Sequence, residues 1–376
     1  MQSREFINIL KDLGGEFFTG VPDSLLAPFI NTIYSEHGIS EKHIVAANEG
    51  AAVGLAAGHY LATGKPAVVY MQNSGLGNAV NPICSLLHQK VYAIPAIFVV
   101  GWRGEPGIKD EPQHVFQGEI TVETLDLLEI PYIILPDVQN LNDSIAKFKN
   151  HLKNGQSVAF VIRKGALESD VKPNYSSNKN LSREEALKCI INAVGDDCKP
   201  VFVCTTGKLS REIFEIRETN NQGHHQDFLT VGSMGHSLAI AHGISASKPA
   251  HKVFCLDGDG AALMHMGSLA VTAAHAPKNL VHIVINNAAH ETVGGLPTVG
   301  GSLNLQEIAK SMGYSHAFCV DDVANLKKVI MGLGELNGPI FVEVLTNLNS
   351  RKDLGRPTTT PIENKLDLMK YLKGDL

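Results

Sequence analysis

Short apolar runs alternate with amphipathic stretches along nearly the whole chain. In the first part, strand character falls at Glu16–Thr19, His43–Ala46, Ala67–Met71, Ala96–Val100, Tyr132–Leu135 and Val158–Ile162. Helical periodicity lies between most of them. Continuous rather than alternating apolar strands, spaced by helices, predict a parallel sheet covered on both faces. The rhythm stops at residues 165–181, GALESDVKPNYSSNKNL, which are polar and rich in Asn and Ser. That stretch reads as a linker. The rhythm restarts at Ser182, whose SREE sequence is a capping box. New strands are expected at Val201–Cys204, Phe228–Val231, Lys252–Leu256, Leu280–Ile285, His316–Val320 and Pro339–Leu345. The fold class is therefore α/β, with two parallel-sheet domains, 1–164 and 182–376, and no domain between them.

Composition narrows the class of protein. Apolar residues are 44% and charged residues 19% of 376, which excludes an intrinsically disordered chain. A net charge of -6 argues against a dedicated nucleic-acid partner but leaves small anions open. No apolar run approaches the ~20 residues of a membrane span. The first residues, MQSREFINILKDLGG, read as an amphipathic helix and not a signal peptide. The six cysteines form no CxxC pair, so neither a zinc site nor a disulfide framework is indicated. Cys204, Cys255 and Cys319 lie in apolar runs and read as buried free thiols of a cytoplasmic protein.

Ligands of open parallel sheets bind at the carboxyl ends of strands. The most informative such end is KVFCL followed by Asp257-Gly258-Asp259-Gly260. A helical stretch, AALMHMGSLAVTAAHA, leads to a second strand, LVHIVI, which ends in Asn286-Asn287. One crossover makes the two strands parallel neighbours, so Asp259 and the Asn pair face one crevice. A carboxylate, an amide oxygen and a loop carbonyl suit a hard ion such as Mg2+, which shares its shell with phosphate oxygens. The helix N-terminus after Gly260 offers N–H groups to the same phosphates. In the first half, Glu49 opens a helix that carries Gly50, Gly54 and Gly58 on one face. A bare stripe of this kind implies close approach of another backbone. A Glu buried among Ala and Gly is expected to have a raised pKa, opposed by the helix N-terminus.

GDG, a spacer of about 25 residues and NN together resemble the binding motif of the thiamine-diphosphate-dependent enzymes. The resemblance implies that Asp259, Asn287 and the Ala289 carbonyl bind Mg2+, and that Glu49 faces N1′ of the aminopyrimidine. It places Gly258 and Gly260 at the cofactor. Val231-Gly232-Ser233-Met234-Gly235 is similar to the segment that holds the cofactor bent, with Gly232 accepting from its 4′-amino group and Met234 wedged beneath the rings. Thr205-Thr206-Gly207 sits where the family reaches the pyrimidine and diphosphate. Asp23 and His114 match positions used for acid–base work.

PDSLL, GWRGEPG, DEPQH and NNAAHETVGGLPT, without a middle domain, are similar to the short two-domain 2-oxoacid decarboxylases that act on phosphonopyruvate or sulfopyruvate. The favoured substrate carries a carboxylate and a phosphonate, for which Arg103, Lys109 and His290 are candidate cations. Val293–Pro297 offers either a glycine-hinged cover or a static turn. The family places its cofactor between subunits, so a homo-oligomer, dimer or higher, is expected. Rival readings are sulfopyruvate decarboxylation, an acyl-transferring synthase and a non-enzymatic nucleotide-binding module.

Overall fold

The computed structural model describes residues 1–137, 139–173 and 175–374. The chain divides into two compact units, residues 1–174 and 175–376. Each is built on one six-stranded sheet in which every recorded pairing is parallel.

The first unit contains β1 (Phe18–Gly20), β2 (His43–Val45), β3 (Ala67–Gln72), β4 (Ala96–Gly101), β5 (Tyr132–Leu135) and β6 (Val158–Ile162). Their spatial order is β2-β1-β3-β4-β6-β5. The second unit contains β7 (Val201–Cys204), β8 (Asp227–Leu229), β9 (Val253–Gly258), β10 (Leu280–Asn286), β11 (Ala289–His290), β12 (Leu296–Pro297), β13 (His316–Val320) and β14 (Ile340–Leu345). Its large sheet runs β13-β14-β10-β9-β7-β8, and β11 pairs antiparallel with β12 as a small separate hairpin. Read from β8, the second sheet repeats the strand order of the first.

Central strands are buried along their length on both faces, as the unbroken apolar runs require. One core gathers Val69, Phe98, Val100 and Val161. Another gathers Phe202, Leu256, Ile283 and Val342. In each sheet the strand order reverses beside the first strand, between β1 and β3 and between β7 and β9. A reversal sends the flanking connections to opposite faces and opens a crevice beyond the strand ends. The polar residues at the carboxyl ends of these and the adjoining strands are therefore placed to meet a ligand.

Several expectations are revised. The polar stretch after residue 164 begins inside the first unit. Ala166 and Leu167 are buried. The Ser3 amide donates to the Glu168 carbonyl at 2.8 Å. At the other end, Leu181 joins the core of the second unit. The expected single helix after Gly260 is two, Asp259–Met264 and Gly267–His275, because His265 leaves helical geometry at φ -132, ψ 49. Of the glycine stripe, only Gly50 meets a neighbouring backbone: a Cβ there would lie 3.1 Å from the Asn78 carbonyl. Among the described residues, a Cβ on Gly54 or Gly58 would meet nothing within 4 Å. Cys319 is exposed rather than buried, because β13 is an edge strand with only one neighbour. Val293–Pro297 is a turn closed by a bond from the Gly295 amide to the His290 carbonyl at 3.0 Å. Among the described residues no helix is long and apolar enough to cross a membrane.

The burial difference among the strand cysteines can be read chemically. A maleimide applied to the folded chain should label Cys319 while sparing Cys204 and Cys255 until denaturant is added, as peptide mass mapping would show. Labelling of Cys204 and Cys255 at the rate of Cys319 would contradict the sheet order.

Candidate active site

In the first unit, Glu49 is the first residue of the Glu49–Thr63 helix, which Asn48 caps by accepting from the Ala51 amide at 2.8 Å. Its side chain is 6% exposed. Asn78 donates to its Oε2 at 2.9 Å. A Cβ on Gly75 would stand 2.6 Å from its Oε1, so only glycine lets the loop after β3 close over this carboxyl. The Gly75-x-Gly77-x-x-Val80 stretch is not a dinucleotide fingerprint, and its sequence does not connect Gly75 or Asn78 with Glu49.

A second cluster forms where β1 and β4 end. Asp23 is 2% exposed and accepts from the Leu25 and Leu26 amides at 3.1 and 3.3 Å. Burial pushes its pKa up to about 6, against the lowering effect of Arg103 and those amides. Glycine is again needed opposite: a Cβ on Gly101 would lie 2.5 Å from the Asp23 carboxylate. Arg103 reaches Ser24 at 3.1 Å, but its fork is taken by Asp110, through Nε at 2.8 Å and Nη2 at 2.6 Å. Burial works to raise the Asp110 carboxyl, and the bonds from Arg103 and the Gly104 amide overcome it, holding it at about 2. His114 is half-buried beside this pair, with no hydrogen-bond partner at Nδ1. Burial and then Arg103 lower its pKa, so the ring is neutral at neutral pH. Lys109 is exposed and forms no ion pair among the described residues. The structure thus unites Asp23, Arg103 and His114, and adds Asp110 as the group that organises them.

In the second unit, Asp259 follows β9 directly and Asn287 follows β10, its parallel neighbour. Asp259 is 2% exposed, and burial pushes its pKa up to about 6. The Thr298 hydroxyl donates to one carboxylate oxygen. A Cβ on Gly300 would lie 2.6 Å from that same oxygen. Thr298 closes the NNAAHETVGGLPT motif, but the sequence assigns neither it nor Gly300 to Asp259. The loop after β10 is pinned along its length. Asn286 accepts from the Ala288 amide at 3.0 Å and donates to Gly300 and Glu343 at 3.0 and 2.8 Å. Asn287 Oδ1 accepts from the Ala289 amide at 3.1 Å. Ala288 is driven into the left-handed region at φ 58.

The remaining second-unit residues lie around these. The Thr206 hydroxyl donates to the Val231 carbonyl at 2.8 Å, tying the loop after β7 to the segment holding Gly232 and Met234. Thr205 Oγ1 is buried without a partner. Gly207 sits at φ 97, before the Lys208–Thr219 helix. A Cβ on Gly260 would be 3.1 Å from the His290 ring and 3.5 Å from Met234 Cε, so these three are packed together. Burial holds His290 down at about 4, which makes it neutral and removes it from the candidate cations.

Thiamine diphosphate with a divalent cation can be tested against these groups. Asp259 is a buried carboxylate with no ion pair among the described residues, and Asn287 and Ala289 lie on the loop that follows the neighbouring strand β10. Thr205 Oγ1 is an orphaned polar atom at the adjoining strand end. The donor set is all oxygen, as Mg2+ requires.

Asp23 yields a prediction of pH dependence. Its folded pKa, about 6, stands above the usual value of 3.8, so its contribution to stability is fully present below pH 3.8 and is lost as pH rises through 6. Asp23→Asn should remove that loss, which is on the order of 3 kcal/mol at 1.36 kcal/mol per unit. Urea unfolding at pH 4.5 and 7.5 should therefore show a smaller pH difference in the variant than in the wild type. Equal differences would mean that Asp23 is not buried as described.

Known protein families and named relatives match the chain along its length. Residues 3–127 match the description "Thiamine pyrophosphate enzyme, N-terminal TPP binding domain", and residues 205–344 match "Thiamine pyrophosphate enzyme, C-terminal TPP binding domain". Phosphonopyruvate decarboxylase of Streptomyces viridochromogenes is 33% identical over 94% of this chain and 90% of its own length. The enzyme of the same name from Streptomyces hygroscopicus is 32% identical over the same shares. Sulfopyruvate decarboxylase of Methanosarcina acetivorans is 26% identical over 97% of both chains. This chain is accordingly a thiamine-pyrophosphate-dependent decarboxylase, a carboxy-lyase belonging to the phosphonopyruvate decarboxylase family.

Proposed function

We propose that the protein converts 3-phosphonopyruvate to phosphonoacetaldehyde and carbon dioxide, using thiamine diphosphate and Mg2+. One observation carries the choice of substrate. Both relatives at 32–33% identity over 94% of the chain bear the phosphonopyruvate name, whereas the full-length sulfopyruvate relative stands at 26%.

In this reading Asp259, Asn287 and the Ala289 carbonyl hold Mg2+. Thr205, Thr206, Gly207, Gly258 and Gly260 line the diphosphate end, and Gly232 and Met234 support the rings. When bound, the cofactor would supply the electron-accepting chemistry that decarboxylation of a 2-oxoacid needs. Glu49, oriented by Asn78, would hold a proton toward the cofactor's pyrimidine end. Asp23 and His114 deliver the proton that replaces the carboxylate on the product carbon. Their suitability rests on pKa: Asp23 at about 6 can give and take a proton near neutral pH, and the neutral His114 imidazole can accept one from solvent and pass it on. Arg103, occupied by Asp110, holds this loop in place. Lys109 is then the cation left to meet the phosphonate.

The same reading makes the protein a homo-oligomer with its cofactor shared between subunits. Supporting it, the Glu49–Thr63 helix presents Gly54, Gly58 and Leu61, the last 73% exposed, and among the described residues a Cβ on either glycine would meet nothing within 4 Å. Sulfopyruvate decarboxylases of Methanothermobacter and Methanococcus are named by subunit.

Carbon dioxide release should be compared for phosphonopyruvate, sulfopyruvate and pyruvate with cofactor and Mg2+ present. The highest kcat/KM is expected for phosphonopyruvate, and a higher value for sulfopyruvate would transfer the assignment to that substrate. Glu49→Gln should retain cofactor binding but slow exchange of the cofactor C2 proton by ~10²–10⁴, the usual worth of such a proton transfer. Unchanged exchange, read by proton NMR, would remove Glu49 from the chemistry.

A further inference from the structure

Asn287 can serve a cation only through Oδ1, and an amide side chain is free to turn its nitrogen there instead. In this chain that freedom is removed at both ends. Oδ1 accepts from the Ala289 amide at 3.1 Å, and Nδ2 donates to Glu291 Oε2 at 3.1 Å. A flipped amide would point N–H at the Ala289 N–H and oxygen at the Glu291 carboxylate, so both bonds would become repulsions. Glu291 is thus the lock on the amide.

The lock is itself anchored. The Glu291 side chain is 10% exposed, and a carboxylate so buried needs a partner to remain charged. Arg183 donates to the same Oε2 through Nη1. The other side of the Arg183 fork is held by Glu212, with Nε to Oε2 at 2.6 Å and Nη2 to Oε1 at 2.8 Å. Lys208 stands 3.9 Å from Oε1 and bonds Ser350 at 2.6 Å. Two cations therefore face two carboxylates, a balanced set. Burial lowers the Arg183 pKa, but the bonds and charge of Glu212 and Glu291 more than reverse this, so the guanidinium stays charged.

We propose that Glu291, held by Arg183, is the positioning residue that keeps the Asn287 oxygen turned toward the cation. The idea rests on the metal reading of Asp259 and Asn287 given above. Groups that orient a metal ligand typically change metal affinity 10–100-fold when removed. Glu291→Ala should accordingly raise the Mg2+ concentration needed for half-maximal thiamine diphosphate binding by 10–100-fold, measured by calorimetry with cofactor fixed and Mg2+ varied. Raising Mg2+ should restore binding. Glu291→Gln keeps an acceptor for Nδ2 and should recover most of the loss. It also preserves side-chain volume, so it remains informative if the Ala variant does not fold.

Asp259→Ala serves as the reference. Wild-type cofactor affinity in that variant would sink the metal reading itself. Loss of binding in Asp259→Ala beside wild-type Mg2+ dependence in Glu291→Ala would sink the positioning role alone. A loss in Glu291→Ala as deep as that in Asp259→Ala, with no recovery in Glu291→Gln, would overturn positioning in favour of direct ligation by Glu291.

Discussion

A carboxylate set at the end of a buried strand must either be neutralised or be given a positive charge, and the chain meets this constraint twice in different ways. Asp23, after β1, has its counter-charge in its own unit: Arg103 stands beside it and two backbone amides bond it. Asp259, after β9, has a hydroxyl and backbone amides but no cation. Burial raises both carboxyls to about 6, so neither is indifferent to pH near neutrality. The contrast is what separates their chemistry. Asp23 has a balancing charge within its unit, whereas Asp259 has none among the described residues, and the roles proposed for them rest on that asymmetry.

Both sites depend on room as much as on charge. Gly75 beside Glu49, Gly101 beside Asp23 and Gly300 beside Asp259 each stand where a single methyl group would collide with a carboxylate. The same strand order builds both crevices, yet the linings diverge. One unit presents Glu49, Asp23 and a neutral His114, all titratable groups. The other presents Asp259, side-chain amides and tight backbone turns. The common topology explains where each crevice lies and nothing about its contents, which come from the loop residues alone.

Much of this was legible in the sequence. All twelve strands of the two large sheets overlap the apolar runs, though several extend past them, as at Asp227 in β8 and Gly258 in β9. The central ones follow the runs because strands buried on both faces leave little polar interruption. The capping box at Ser182 is present as read, with Ser182 Oγ accepting from the Glu185 amide at 3.2 Å. Asp259 and Asn287 were identifiable as neighbours because a single crossover between parallel strands leaves little choice of placement. Strand ends carrying Gly, Asp and Asn are local signals, and local signals survive in one dimension.

What only the tertiary structure decided are the partnerships between distant residues and their consequences for charge. Arg103 reads as a free cation until Asp110 is seen to occupy its fork, and His290 reads as a cation until its burial makes it neutral. Cys319 shares the apolar character of Cys204 and Cys255, yet its strand lies at the sheet edge. Thr298 and Gly300 meet Asp259 from about 40 residues away, and Arg183 meets Glu291 across 108. Hydrophobic periodicity records which face of an element is buried. It carries no information about which polar group waits on the other side, because a hydrogen bond or an ion pair needs only proximity in space and leaves no period in the chain.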